Sequence, residues 1–145
     1  MKKIVIGRPV VEWVAARTGE YGNFGAAVGF GVEREGQIIG GAVFNDFNGA
    51  SIQIHTASEA VDWLTRRFLW MLFDYAFNQA KVNVIISLAG EKNVNAIRFG
   101  LDIGFEHKYE IPDAHPEGKL LIRTMRRDQC RWLALGKRYG YSSVH

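Results

Sequence analysis

The sequence has little cysteine and no long apolar run. Its single cysteine, Cys130, excludes an internal disulfide and a cysteine-based metal cluster, and this is typical of proteins from a reducing compartment. No segment is long enough to cross a bilayer, and Gly7-Arg8-Pro9 ends the apolar start of residues 1–6 too early for a signal peptide. We therefore expect no membrane partner and predict a cytoplasmic protein.

A strong charge of either sign is also missing. Eighteen basic and fifteen acidic side chains give a net charge of +3. The basic excess lies mainly at Arg66-Arg67 and in residues 123–138, which is weak support for nucleic-acid binding, so we expect no nucleic-acid partner. The histidines at positions 115 and 145 lack the spacing of metal ligands, and no metal site is predicted.

What the sequence does contain is a series of strands and helices. With 145 residues, 48% of them hydrophobic, the chain is long enough to bury the core of one domain. The predicted strands are residues 3–6, 26–34, 37–47, 50–55, 83–89, 105–111 and 119–125. The predicted helices begin at Pro9, cover residues 61–79, run from Asn93 or Asn95 to Gly104, and cover residues 129–135. Loops are expected at residues 18–25 and 112–118, and a two-residue hairpin turn at Glu35-Gly36.

Residues 50–105 form the stretch where a function is expected. A strand, helix, strand and helix in succession imply parallel strands joined by a crossover, with a ligand at the strand ends. The apolar stripe of residues 61–79 is too wide for a surface helix. Either this helix packs between the sheet and a flanking loop, or its Trp70 and Phe73 also contact a second subunit, which predicts a homodimer.

Three short motifs occur in the hairpin, at the end of the long predicted helix and in the helix after it. Asn93-x-x-Ala96-x-x-Phe99 is followed by Gly104-Phe105, Gly36-x-Ile38-Ile39-Gly40-Gly41 lies in the hairpin, and Asp74-Tyr75-Ala76-Phe77 ends the long helix. Together with the element order, they resemble the GNAT superfamily of acetyl-CoA-dependent N-acetyltransferases over nearly the whole chain.

The resemblance implies an α/β (α+β) fold with a mixed, mostly antiparallel central sheet of six to seven strands and helices on both faces. It also implies a GNAT-like domain at residues 1–126. The residues that follow predict a C-terminal extension at residues 127–145, with a short helix and a flexible tail.

The resemblance further implies acetyl-CoA as co-substrate. In that family the fourth and fifth strands splay apart, pantetheine lies in the opening, and the next helix N-terminus receives the pyrophosphate, because free amides and the helix dipole attract anions. Asn93 is then expected near the thioester or the pantetheine arm, and Phe99 against the cofactor. The other residues assigned to the cofactor are Ile54, His55, Thr56, Trp63, Leu64, Thr65, Arg66 and Arg67.

Two places depart from the family's pattern. The family's phosphate loop is Gln/Arg-x-x-Gly-x-Gly/Ala, whereas Ala60-Val-Asp-Trp63-Leu-Thr65 stands there without a glycine. Either Trp63 obstructs the phosphates, or the loop is shifted and Arg66-Arg67 supply the charge. The tyrosine that protonates the departing thiolate falls on Gly100, so this acid is absent.

A base is needed because the acceptor ammonium must lose a proton before it attacks the thioester. His55 fits by location, although it is equally a polar residue at the end of a strand; Asp46 and Glu59 are the alternatives. His107 and Tyr109 either face the acceptor groove or meet solvent. Asn93 is a helix cap, a cofactor contact, or both. We predict His55 and Asn93 as the catalytic residues.

Three functions follow as hypotheses. The first is an N-acetyltransferase that moves acetyl to a primary amine of a small molecule or peptide by direct attack, without a covalent enzyme intermediate. The second is a catalytically inactive GNAT-fold module for binding or assembly, because Trp63, Thr65 and Gly100 replace the family's residues. The third is a nucleic-acid binder that uses the basic C-terminal segment.

Overall fold

One seven-stranded sheet organises the chain in the computed structural model, which describes residues 1–18 and 24–139. The strands are β1 (Lys2–Ile6), β2 (Ala27–Arg34), β3 (Gln37–Asn45), β4 (Ser51–Ser58), β5 (Val84–Gly90), β6 (Glu106–His115) and β7 (Gly118–Arg126). The helices are α1 (Arg8–Thr18), α2 (Arg66–Asp74), α3 (Val94–Ile103) and α4 (Gly136–Tyr139). A π-helical turn (Tyr75–Gln79) continues α2, and 3-10 turns (Arg127–Gln129 and Arg131–Leu135) precede α4.

The strand order is β1-β2-β3-β4-β5-β7-β6, and neighbouring strands are antiparallel except β4 and β5. The predicted mixed, mostly antiparallel sheet is therefore confirmed. The parallel pairing runs from Ser51 opposite Val84 to Ile54 opposite Ser87. It stops there, although β4 continues to Ser58 and β5 to Gly90. The two strands thus separate after a short junction.

Helix α1 covers one face of the sheet, which we call the α1 face. Val10, Val11 and Val14 pack there in one cluster with Val43 of β3 and Ala57 of β4. A Cβ atom on Gly41 would lie 2.9 Å from Val10, so a strand without side chains lets the helix lie close to the sheet. Gly29 and Gly31 of β2 are explained by the same contact, since a Cβ on either would also lie against Val10.

Helices α2 and α3 cover the opposite face, which we call the α2–α3 face. Its cluster of buried residues joins Phe68, Leu72 and Phe73 of α2 to Phe99 of α3 and Ile54 of β4. Helices therefore lie on both faces, as predicted. Because side chains alternate along a strand, the residue after Ile54, His55, points to the α1 face.

The predicted helix over residues 61–79 is wrong at its start. Helix α2 begins at Arg66, because the Thr65 hydroxyl accepts a hydrogen bond from the Phe68 amide at 3.1 Å and caps the first turn. Residues 61–65 are not helical, and the Trp63 side chain turns into the core. The last turn widens to a π-helix at Tyr75–Gln79.

The predicted loop at residues 112–118 is mostly strand. β6 continues to His115 and β7 begins at Gly118, so Pro116 and Glu117 alone form the turn. Pro112 is tolerated because β6 is an edge strand and its register against β7 shifts between Ile111 and His115. The turn at Glu35-Gly36 is confirmed, with both φ angles positive at 54° and 79°.

The segment after β7 packs on the domain, and the short helix predicted over residues 129–135 is a 3-10 helix at Arg131–Leu135. The Trp132 Nε1 donates to the Ile103 carbonyl at 3.0 Å, and the Tyr139 ring lies 6.4 Å from that of Trp70. Phe73 is 0% exposed within the single chain, so the prediction that it contacts a second subunit is wrong. The described residues do not include 140–145, where the flexible tail is predicted. They also do not include 19–23, which are most of the loop predicted at residues 18–25.

Candidate active site

A cleft opens where β4 and β5 separate. Its cavity has a volume of about 350 Å³ and is lined from both strands and from the N-terminus of α3. The polar side chains around it are Thr18, Asn45, Asp46, Gln53, His55, Thr56, Ser87, Asn93 and His115. Two smaller cavities of about 150 and 160 Å³ continue it along α3, since they share Thr56 with it and Asn95 with each other. Adjoining cavities therefore form a groove at the strand ends, where a ligand is expected from the sequence.

The cleft has different chemistry on the two faces of the sheet. His55 pairs in register with Val43, so it lies on the α1 face. Ser87 pairs with Ile54 of β4 and lies two residues after Ile85, both members of the buried cluster, so it lies on the α2–α3 face. The end of the junction is thus flanked by His55 on one face of the sheet and by Ser87 on the other.

His55 is held in place by aromatic and amide groups. Its ring stacks on Phe24 with centroids 4.5 Å apart, and its Nε2 lies 2.9 Å from the Asn45 Oδ1. The Asn45 Nδ2 donates to the Phe24 carbonyl, which assigns Oδ1 to the side facing His55. Nε2 of a neutral imidazole therefore carries the hydrogen, and Nδ1 keeps the lone pair that could accept a proton.

The environment of His55 disfavours its charged form. Burial lowers the pKa of His55 to about 4, and the nearby Asp46 carboxylate offsets only part of this effect. The imidazole is therefore neutral at pH 7 with its lone pair available. Its low basicity makes it a weaker proton acceptor than an ordinary histidine.

Asn93 is a helix cap that also borders the cleft. Its Oδ1 accepts a hydrogen bond from the Ala96 amide at 3.2 Å, which caps α3. Among the described residues, the Nδ2 group has no hydrogen-bond partner, and the residue lines both the main cavity and one of the smaller ones. Capping and ligand binding use different atoms of this side chain, so the two predicted roles are compatible.

Trp63 belongs to the glycine-free loop at residues 60–65, and its side chain packs into the core. Its ring is 5% exposed, stacks on Phe99 with centroids 6.2 Å apart, and would meet a Cβ on Gly40 at 2.3 Å. The ring thus fills a space that Gly40 leaves open in β3. Together with Leu64 and Phe99 it lines the second cavity. It does not project across the main cleft.

The two adjacent arginines at the start of α2 point away from this groove. Arg66 lines a surface pocket with Arg131 and Trp132, and Arg67 lines another with Lys2 and Lys3. The loop before them is tied to the β1–β2 edge, because the Asp62 carboxylate accepts from the Arg34 guanidinium at 2.8 Å. The assignment of these arginines to the pyrophosphate stays a prediction, with no support from their positions.

Arg98 is the basic residue that the sequence reasoning missed. It lies on α3 and lines the second cavity beside Asn95 and Phe99. The signal was present in the helical spacing, since Asn95 and Arg98 are three residues apart and share one side of α3 with the cavity. An anion at this cavity would meet Arg98 instead of Arg66 or Arg67.

The other candidates for the base are placed unequally. Asp46 lines the main cavity with His55. Glu59 lies beside the smaller cavity but pairs with Arg17 at 2.9 Å, which neutralises it. His107 and Tyr109 are exposed on the edge strand β6 and do not line the cleft. Asp46 is therefore the better of the two carboxylates.

A buried arginine stands behind Ser87. Arg123 is 3% exposed, and its NH2 group donates at 3.0 Å to both the Ser87 hydroxyl and the Ala96 carbonyl. Its NH1 group donates to the Ile97 carbonyl at 3.0 Å. A Cβ on Gly100 would lie 2.2 Å from NH1, so the guanidinium occupies the space directly beside this glycine.

The described residues offer neither a cluster of metal ligands nor a membrane-spanning helix. No group of three or more histidine, cysteine, aspartate or glutamate side chains there could hold a metal ion. Within the same residues, no helix is both long and apolar enough to cross a membrane.

Comparison with solved structures identifies the fold. The spermidine N-acetyltransferase from Vibrio cholerae in complex with CoA and spermine superposes with a TM-score of 0.67 and 12% identity, over 88% of this chain and 96% of that one. The protein yncA from Salmonella typhimurium with its cofactor acetyl-CoA gives 0.64 and 16%, over 90% and 96%. The GNAT-family acetyltransferase from Bacillus anthracis gives 0.57 and 16%, over 69% and 66%.

The chain therefore has the GNAT fold, as the motifs at residues 93–105 predicted. No family model matches the sequence. No curated protein matches it either.

Proposed function

We propose that this protein is an N-acetyltransferase that transfers acetyl from acetyl-CoA to a primary amine by direct attack. The observation that carries the proposal is the cleft at the end of the β4–β5 junction, where backbone, a capped helix N-terminus and titratable side chains surround a continuous groove. Beyond Ile54 and Ser87 the two strands no longer pair with each other, so an extended ligand can lie between them.

The expected positions of the two substrates follow from the two faces of the sheet. The thioester and its pantetheine arm would lie beside Thr56 and Asn93, with the phosphates toward Asn95 and Arg98. The amine would approach from the α1 face, past Phe24 and His55, with the Asp46 carboxylate attracting its positive charge. The amine would lose its proton to His55 Nδ1 or, through water, to Asp46.

The ligands of the solved relatives support this class of substrate. The Vibrio cholerae protein binds CoA and spermine, and yncA binds acetyl-CoA. A small-molecule amine or the amino group of a peptide is therefore the acceptor that we propose. The absence of glycine from the loop at residues 60–65 is compatible with this, because Trp63 lies within the core cluster.

Two further sequence predictions belong to this proposal. A cytoplasmic setting is supported by the single thiol, Cys130, which is buried and whose pKa burial raises. A homodimer stays a prediction, without Phe73 at its interface. Light scattering on the purified protein would measure the oligomeric state.

Calorimetric titration with acetyl-CoA tests the proposal, followed by an assay of thiol release with primary amines that include spermidine, spermine and a peptide. We expect saturable binding and amine-dependent release of CoA. Absence of both at millimolar acetyl-CoA would contradict the proposed function.

Asn93→Ser separates capping from ligand binding, because serine keeps a cap acceptor but loses the Nδ2 donor. We expect unchanged thermal stability and an affinity for acetyl-CoA lowered by about threefold to tenfold, as for the loss of one hydrogen bond. Asn83→Ser, at an exposed position before β5, is the matched control and should bind as the wild type does.

A further inference from the structure

Arg123 is a buried cation without a counterion among the described residues. No carboxylate there lies within ion-pair distance of its guanidinium, and burial lowers its pKa with no opposing charge effect. Its Nε group has no hydrogen-bond partner. Buried arginines without a carboxylate are costly, so a positive charge kept at this position favours negative charge in its neighbourhood.

Ser87 connects the Arg123 guanidinium to the cleft, because it bonds to the guanidinium and lines the main cavity. The Ser87 Oγ accepts from Arg123 NH2 at 3.0 Å, so its own hydrogen is free to be donated elsewhere. Ser87 lines the main cavity and is the last β5 residue paired with β4. The hydroxyl therefore stands at the apex of the cleft, backed by a full positive charge.

Gly100 makes this arrangement sterically feasible. Any side chain there would start 2.2 Å from Arg123 NH1. The arginine from β7 and the glycine on α3 are thus complementary, and the Ala96 and Ile97 carbonyls hold the guanidinium in place. A donor that is held before the reaction suits stabilisation of a charge that develops during it.

We propose that Ser87 donates a hydrogen bond to the sulfur of acetyl-CoA as the thiolate departs, and that Arg123 is a positioning residue that orients and polarises this hydroxyl. This inference rests on the proposed acetyl transfer. Gly100 cannot stabilise the leaving group, because it has no side chain. The proposal assigns this role to a serine on β5 and an arginine on β7.

The step balances without any further reagent. The amine nitrogen forms a bond to the thioester carbonyl carbon, and the bond between that carbon and sulfur breaks with its electron pair on sulfur. Ser87 lowers the energy of the thiolate by hydrogen bonding and keeps its own proton, because a serine hydroxyl is a weaker acid than a thiol. The proton lost by the amine reaches the sulfur through the base and water, giving the amide and the free thiol.

The competing explanation is that Arg123 only fastens α3 to the sheet. A structural role predicts lower stability for every Arg123 variant, whether or not Ser87 is present. The proposed role predicts an effect on kcat that depends on Ser87. Steady-state kinetics and thermal unfolding of the full chain therefore distinguish the two.

Ser87→Ala is the first test. We expect kcat to fall by about a hundredfold to a thousandfold, as for the loss of one donor to a developing charge, while calorimetry shows CoA affinity within about twofold of the wild type. Ser51→Ala, at the other end of the same parallel junction, is the matched control and should leave kcat unchanged. An unchanged kcat in Ser87→Ala overturns the proposal.

Arg123→Lys, alone and combined with Ser87→Ala, completes a double-mutant cycle. We expect Arg123→Lys to lower kcat in the wild type and to have no further effect on kcat in the Ser87→Ala background. Equal reductions of kcat in both backgrounds would show that Arg123 is a structural residue and would overturn its positioning role.

If the wild type neither binds acetyl-CoA nor releases thiol, the proposed function fails and this inference fails with it. If it does both and the variants match it, the inference alone fails.

Discussion

His55 illustrates how a single side chain can combine a favourable position with an unfavourable pKa. Its location in the cleft was predicted from its place at the end of a strand. Its burial against Phe24 and its bond to Asn45 join residues that are far apart in sequence, so the depressed pKa could not be read from the chain. The imidazole offers a lone pair at neutral pH but accepts a proton weakly.

The pH dependence of stability provides a test at this residue. The pKa of His55 is lowered from 6.5 to about 4, so the unfolded chain binds this proton more readily than the folded protein does. Stability contributed by the neutral imidazole is present above about pH 6.5 and is lost as the pH falls toward 4. In His55→Asn, the free energy of unfolding should fall less between pH 7 and pH 4.5, as measured by urea unfolding. An identical fall in wild type and variant would argue against the lowered pKa.

Trp63 is a second residue whose role depends on distant neighbours. We expect Trp63→Ala to reduce the free energy of unfolding by about 3–5 kcal/mol, because a large cavity would remain between Gly40, Phe68 and Phe99. Urea unfolding measures the loss. Val61→Ala in the same loop is the control, since Val61 is fully exposed and should change stability little. Similar losses in both variants would show that Trp63 is not a core residue.

At the scale of elements, α3 and α2 show what the sequence could and could not reveal. Asn93 as cap and Gly104 as terminator delimit α3 as predicted, because both signals are local: an oxygen that accepts the Ala96 amide and a φ of 112°. The start of α2 was misplaced because residues 61–65 are apolar enough to continue the helical pattern. Trp63 instead packs against Gly40 of β3, and α2 begins only at Arg66.

The C-terminal segment is an element with a testable structural role. Ending the chain at Arg126 would remove Cys130, Trp132 and Leu133 from the surface of α2 and α3, and we expect a loss of roughly 3–6 kcal/mol from the buried apolar area. Thermal unfolding measures it. Trp132→Phe keeps most of that area but loses the bond to the Ile103 carbonyl, and should cost only about 1 kcal/mol. A truncated chain as stable as the full one would show that residues 127–139 are dispensable.

At the scale of the whole molecule, a ligand in the cleft would contact both halves of the sheet. Binding to the folded state alone should raise the free energy of unfolding by about 2.7 kcal/mol at a ligand concentration of 100 Kd. We therefore expect the unfolding temperature to rise with the concentration of acetyl-CoA, measured by scanning calorimetry. Adenosine, which lacks the phosphates and the pantetheine arm, is the control and should produce a smaller shift. Equal shifts with both would indicate binding away from the cleft.

The short junction between β4 and β5 also makes the molecule mechanically uneven. Among the described strands, four residue pairs from Ser51–Val84 to Ile54–Ser87 join the sheet's two antiparallel halves, whereas β2 and β3 pair along nearly their whole length. Under tension applied across the strands, rupture should begin at this junction. A ligand bound between β4 and β5 would contact both strands and hold them together. The force needed to separate the two halves of the sheet should therefore rise with the fraction of molecules that bind the ligand.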